Sequence, residues 1–241
     1  MSGRGWAQMA IVLAMFSLGA CRAGAQDAAQ PQAHNTLTEA ERAAGWKLLF
    51  DGQTTNGWRN YQSEGIRDGW QAVGGELQRV GRGGDIITLE QFQDFELTLE
   101  WKLQESGNSG IFYRATEQPR LIYYGAPEMQ ILDDNGHRDG QSELTSAGSN
   151  YGINPAPRGV VKPLGEWNTA RILVQGNRVE HWMNGQKIVE YEFNSEHWKR
   201  RVQESKFRQW PEYGQAQRGH IGIQDHGTWV AFRNVKVRVI G

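Results

Sequence analysis

The sequence predicts an all-β sandwich of the jelly-roll kind with two short helices, and three observations carry that expectation. Short runs that alternate apolar and polar residues recur along most of the chain, the period-2 signature of strands with one buried face. Glycine-bearing pairs separate several of these runs, at Gly74-Gly75, Gly176-Asn177 and Asn184-Gly185, and such pairs reach the positive φ of two-residue hairpin turns. The 30 Gly and 10 Trp suit many turns and bulky aromatic packing, while long helical patterns are few.

In a chain of 241 residues these elements fit one domain, expected over residues 36–241. Residues 1–25 read as an export signal: Arg4, an apolar run from Met9 to Leu18, then small residues, too short to span a bilayer comfortably. Leu18-Gly19-Ala20-Cys21 resembles a bacterial lipobox, which would make Cys21 the lipidated mature N-terminus; ordinary cleavage after Ala25 is the alternative. The expected location is the periplasm or outer membrane, with membrane contact only through the lipid anchor. Cys21 is the single cysteine, so stability must come from the core rather than from an internal disulfide. Residues 26–35 hold too little apolar surface to pack and read as a tether.

A short helix is expected at "TLTEAERAAGW", where Thr36 with Glu39 and Thr38 with Glu41 both have capping-box spacing and Gly45 stands at the stop. Strand signals follow in "WKLLFDGQ", "GWQAVGGELQRV", "DIITLEQFQDFELTLEWKLQ", "SGIFYRAT" and "EMQILD". "GEWNTARILVQGNRVEHWMNGQKIVEYEF" reads as three strands. "NSEHWKRRVQESKF" reads as a helix capped by Asn194 or Ser195, with Trp198 and Val202 at i, i+4, and "GHIGIQDHGTWVAFRNVKVRVI" as two closing strands. Asp133 to Gly165 breaks the pattern as a long polar loop, and long ordered loops in compact domains are often functional.

Basic residues (26) and acidic residues (27) nearly cancel, which disfavours a nucleic-acid role. There is no HExxH, paired CxxC or GxSxG, and "GRGGD" lacks the Lys-Ser/Thr of a phosphate loop, so zinc, serine-hydrolase and nucleotide chemistry drop away. Asp133, Asn135, His137 and Asp139 alternate as calcium ligands sometimes do, yet Gly140 falls too late and Leu144 stands at the closing position of an EF-hand loop. No motif names a cofactor, and the Asp and His content permits a divalent cation without requiring one.

Polar residues on or beside strands are the candidates for chemistry: Arg114, Glu128, Gln130, His181, Gln224, Asp225 and His226. Taken singly, a strand Glu is more often a solvent-facing residue and a His near a turn more often a hydrogen-bonded one; convergence on one concave face would make them a site. In "EMQILDDNG" Met129 and Ile131 alternate with Glu128 and Gln130, one apolar and one polar face. Trp182 must face away from His181 if their strand is regular.

"GWKLLFDGQTTNGWR", "NSGIFYR", "EMQILDD", "GEWNTARILVQGNRVEHWMNGQKIVEYE", "SKF" and "GHIGIQDHGTWVAFRNVKVR" together resemble the 3-keto-disaccharide hydrolase family, formerly a domain of unknown function, from about Gly45 to Val239. The resemblance implies a concanavalin-like jelly roll and cleavage of glycosides already oxidised to a ketone at C3. It also implies a separate sugar 3-dehydrogenase that makes the substrate. A C3 ketone acidifies the C2 hydrogen, so a base could remove it and the C1 aglycone could leave by β-elimination, with water adding back. Carried onto this chain, the catalytic set is Glu128 or His181 as proton shuttle, Arg114 as oxyanion stabiliser, and Asp133. Gln130, Gln224, Asp225, His226, Lys206 and Tyr151 would contact substrate. The competing readings are a carbohydrate-binding module or envelope lectin on the same fold, and a structural or adhesion protein.

Overall fold

The computed structural model describes Met1, Gly3 and residues 33–241; the export signal, Cys21 and the tether as far as Gln32 lie outside the described residues. In chain order the first elements are α1 (Glu39–Ala43), β1 (Trp46–Leu48), β2 (Trp58–Asn60), β3 (Trp70–Val73), β4 (Glu76–Arg79), β5 (Ile86–Phe92), β6 (Phe95–Leu103) and β7 (Asn108–Ala115). They are followed by β8 (Glu128–Leu132), β9 (Asn168–Gln175), β10 (Arg178–Met183), β11 (Gln186–Glu192), α2 (Glu196–Glu204), β12 (Gly219–Ile223) and β13 (Val230–Val239).

The strands form two antiparallel sheets. The larger runs β11-β10-β9-β6-β13-β4-β3, with β1 also on β13, and the smaller runs β2-β5-β12-β7-β8. Alternation decides what lies between them. From β6, Phe95, Leu97, Leu99, Trp101 and Leu103 point inward and meet Ile111, Met129, Ile131, Ile221 and Ile223 of the smaller sheet in one core. The expected jelly-roll sandwich with two α-helices is therefore present. The run from Asp85 to Gln104 divides at Gln93-Asp94, so β5 and β6 enter different sheets, and β2 is a strand that the alternation pattern missed.

Local signals act as anticipated. Thr38, not Thr36, caps α1: its side chain accepts from Glu41 N, and the Glu41 carboxylate accepts from Thr38 N at 2.8 Å. Ser195 caps α2, whose Trp198 is buried. Gly74-Gly75 and Asn184-Gly185 have positive φ at both positions, as a type I′ hairpin demands.

The tether ends earlier than its composition suggests. Asn35 is buried and docked: its N–H donates to Asn234 Oδ1 at 2.6 Å, Asn234 N–H donates back to Asn35 Oδ1 at 2.8 Å, and its amide donates to Gly75 O at 2.8 Å. Two amide oxygens that each accept from the other residue's backbone N–H close such a reciprocal pair where polar composition alone suggests a free segment. A chain beginning at Thr36 is expected to be less stable than one beginning at Ala33 by about 1–3 kcal/mol, measured by urea unfolding, because these bonds are lost.

Candidate active site

The site begins with β8. Met129 and Ile131 lie in the core, while Glu128 and Gln130 face the opposite side of the small sheet. One edge of β8 pairs with β7, with Gly110 opposite Gln130 and Phe112 opposite Glu128. The long loop covers the other edge: Gly148 N donates to Gln130 O, Gln130 N to Ser149 O and Tyr151 N to Glu128 O, at 2.8 to 3.0 Å. This ordered loop thus acts as a further edge segment, and it delivers Tyr151 beside Glu128.

Gly110 makes room for the Glu128 side chain, because a Cβ at 110 would stand 2.6 Å from Glu128 Cδ. The carboxyl lies over the sheet, buried, with no hydrogen bond or ion pair to any of the described residues. Burial raises its pKa from 4.5 to about 8, against the opposing field of Lys206.

Around it lies a pocket of about 290 Å³ that also takes in Asn108, Gln130, His137, Asp139, Tyr151, Lys206, Gln224 and His226. Lys206 follows α2 in a 3₁₀ turn that Ser205 caps. Its ammonium sits over three rings, 4.5 Å from Tyr151, 5.2 Å from Phe207 and 5.7 Å from Tyr123, and it makes no ion pair among the described residues. Burial lowers its pKa, while Glu128 and Asp139 pull it upward. His137 and His226 meet edge to face at 6.3 Å, and the Tyr151 hydroxyl donates to Asp139 Oδ2 at 3.2 Å. Three amide oxygens of this pocket, from Asn108, Gln130 and Gln224, are enclosed yet have no partner among the described residues. Enclosed acceptors left unpaired are costly, and a donor-bearing ligand or water would satisfy them.

Of the sequence candidates, Glu128, Gln130, Tyr151, Lys206, Gln224 and His226 come together. Arg114, His181, Asp133 and Asp225 do not. Arg114 has φ +52 at a bulge between β7 and β12, which turns its guanidinium away to Gln93 O, Asp94 and, at 2.7 Å, Gly176 O. It ties together turns of both sheets at one end of the sandwich.

His181 is fully buried between the sheets, its Nδ1 donating to Gly148 O and its Nε2 accepting from Tyr113 OH, each at 2.9 Å. Burial holds its pKa down at about 4, so it is neutral and out of reach of the pocket. Trp182 faces outward, as alternation requires, and donates to Glu180 at 2.7 Å. Asp133 accepts from Ser106 N at 2.9 Å and lines a separate cleft. Asp225 pairs with Arg79 and accepts from Gly83 N and Gly84 N at 2.8 and 2.7 Å, so the "GRGGD" glycines are held by a carboxylate of the chain itself.

Sequence reasoning passed over Asn108 and Tyr123, and considered His137 and Asp139 only as metal ligands. In the fold Asp133 and Asn135 wall one cleft while His137 and Asp139 wall the other, which divides the four alternating residues between two sites. Among the described residues no three His, Cys, Asp or Glu side chains gather to hold a metal ion.

A jelly-roll sheet bearing a pocket with unpaired acceptors, an enclosed carboxyl and one caged cation suits a small hydroxylated ligand. The profile of the 3-keto-alpha-glucoside-1,2-lyase-like domain matches residues 45–238, and the chain belongs to that family. A 3-keto-disaccharide hydrolase of Bacteroides thetaiotaomicron is 38% identical over 231 residues, covering 82% of this chain and 79% of the relative. A solved Parabacteroides distasonis protein, provisionally assigned as a glycosyl hydrolase, superposes with TM-score 0.81 at 33% identity, covering 87% of this chain and 100% of its own. A second such protein from that organism gives TM-score 0.63 at 27% identity, covering 81% of this chain and 99% of its own.

Two outcomes follow from the geometry. A carboxyl whose folded pKa lies above its unfolded value binds its proton more tightly when folded, so that stabilisation is present below about pH 4.5 and is lost as pH rises through about 8. Glu128→Gln is therefore expected to melt above the wild type at pH 9, with the gap closing toward pH 5, measured by thermal scans across pH. Gly110→Ala is expected to displace the Glu128 side chain and abolish ligand binding while β-sheet content persists, checked by circular dichroism and calorimetry.

Proposed function

We propose that this protein is an enzyme that cleaves glycosidic bonds of sugars carrying a ketone at C3, by elimination and rehydration. The observation that carries the reading is Glu128: a buried carboxyl with a pKa of about 8, in one pocket with Lys206, neither of them ion-paired among the described residues. A base with that pKa is strong, yet on the order of a tenth of it is ionised at pH 7. It suits removal of a carbon-bound proton activated by an adjacent ketone. Support also comes from family membership and from the name of the Bacteroides relative.

In this mechanism the Glu128 carboxylate takes the C2 proton, and the electron pair moves onto the C3 oxygen beside the Lys206 ammonium, which stabilises the enolate. The pair then returns to form C1=C2 as the C1–O bond breaks. The departing oxygen takes up the proton that Glu128 has just acquired. Water adds across the double bond, oxygen to C1 and hydrogen to C2, so the net change is hydrolysis without a glycosyl-enzyme intermediate, unlike the two-carboxylate route of ordinary glycosidases. Asn108, Gln130 and Gln224 would accept from sugar hydroxyls through the oxygens that lack partners. This mechanism gives no role to Arg114 and His181, which lie outside the pocket.

Such an enzyme would act after a separate sugar 3-dehydrogenase, and a lipid anchor at Cys21 would hold it in the bacterial envelope. The test is to incubate the protein with 3-keto-lactose and with lactose, with and without a chelator, and follow release of free sugar. Cleavage of the oxidised sugar alone is expected, with kcat/KM rising with pH to a plateau above about 8. Glu128→Gln should lower turnover by roughly 10²–10⁴-fold and remove that limb while binding persists. Unchanged turnover in that variant would remove Glu128 from the mechanism. Binding of both sugars with cleavage of neither would identify a carbohydrate-binding module.

A further inference from the structure

A second, larger cleft of about 520 Å³ opens at the end of the sandwich, between Trp101 of β6, Leu132 and Asp133 at the end of β8, and residues 161–166. Trp101 is 2% exposed, and its indole N–H has no partner among the described residues, an unusual state for an enclosed donor. Glu105 and Glu166, also in the lining, are exposed and make no ion pair among the described residues. The Lys162 ammonium is engaged by Trp167 O at 2.9 Å. Asp133 already holds the N–H groups of Ser106 and Asn135. Leu164, 51% exposed, offers apolar surface within the same cleft.

These features narrow the ligand. The carboxylates oppose an anion, and an orphaned N–H in the same lining opposes a metal cation. A neutral molecule that both donates and accepts hydrogen bonds and carries an apolar face satisfies all of them, and a pyranose ring is such a molecule: vicinal hydroxyls for the free carboxylates, an oxygen for the indole N–H, and a CH face for the leucines. We infer that this cleft is a second carbohydrate-binding site, distinct from the Glu128 pocket and occupied by unoxidised sugar. One segment separates the two, since Asp133, Asn135 and Gly136 wall this cleft and His137 to Asp139 wall the pocket. A longer glycan held here lies close to the site of cleavage.

The experiment follows the Trp indole N–H resonances of ¹⁵N-labelled Glu128→Gln protein during titration with cellobiose, maltose and lactose, none of which carries a ketone. The Trp101 signal, assigned by its loss in Trp101→Phe, is expected to move saturably with at least one of them. The double variant Glu105→Gln/Glu166→Gln, altered at exposed positions, is expected to weaken that binding about fivefold or more and to leave turnover of methyl 3-keto-glucoside unchanged when made in the wild-type background. Should Trp101→Phe not fold, loss of sugar binding in the double variant carries the test. A Trp101 resonance unmoved by all three sugars up to about 100 mM, where even weak sites fill, overturns the inference. So does binding that the double variant leaves intact. The probes are unoxidised, so either result stands apart from the outcome with 3-keto substrates.

Discussion

The pocket depends on one close approach, the Glu128 side chain laid over β7 where Gly110 has no Cβ to oppose it. Everything around the carboxyl follows from that crossing. Because Glu128 lies flat on the sheet, it is enclosed without being driven into the core, and its neighbours on the same face become the walls. Because β8 has β7 on one side alone, the chain must satisfy its other edge, and it does so with the loop that brings Tyr151 into place. A strand used as a site floor and a loop used as an edge strand are two answers to the same demand for backbone partners.

Electrostatics sets this pocket apart from the ion pairs of the sandwich. There several charges are neutralised by direct contact: Glu96 with Arg171 and Arg238, Asp225 with Arg79, Arg233 with Glu100. Glu128 and Lys206 share a pocket without that contact, the lysine resting on aromatic faces. A direct ion pair would fix the carboxylate in its ionised form and lower its basicity; separation leaves it able to hold a proton near neutral pH. Three enclosed amide oxygens without partners among the described residues stand in the same pocket, a common feature of sites organised for ligand binding rather than for stability.

The sandwich was legible because its signals are local. Alternation in β6, the Gly74-Gly75 and Asn184-Gly185 turns and the Thr38 and Ser195 caps each act within a few residues, and each does what its chemistry prescribes. The polar face of β8 was legible for the same reason. Arg114 and His181 were not, since a bulge with positive φ redirects one and the choice of inner or outer face decides the other, and alternation gives the period without saying which face is which. Asn108 and Tyr123 reach the pocket through strand order and a short 3₁₀ turn, relations between distant residues that no short motif contains. Asn35 shows the converse: a polar segment packs because two asparagines close on each other across the whole length of the domain.

His181 still bears on the site, from behind. Gly148 turns its N–H toward Gln130 O, which leaves its carbonyl facing the interior, where an enclosed acceptor needs a donor. A neutral imidazole on the large sheet supplies it, and the other ring nitrogen accepts from Tyr113, whose hydroxyl is held in turn by Tyr191 at 2.7 Å. The chain of bonds runs from β11 through β7 and β10 to the loop against β8, and so crosses from one sheet to the other. A charged imidazole would carry a proton on both nitrogens, and the Tyr113 hydroxyl would then have to turn from donor to acceptor at Nε2 and give up its acceptance from Tyr191 or share it. The burial that holds His181 neutral is therefore what keeps this donor order intact, and with it the loop segment that backs Gln130 and presents Tyr151.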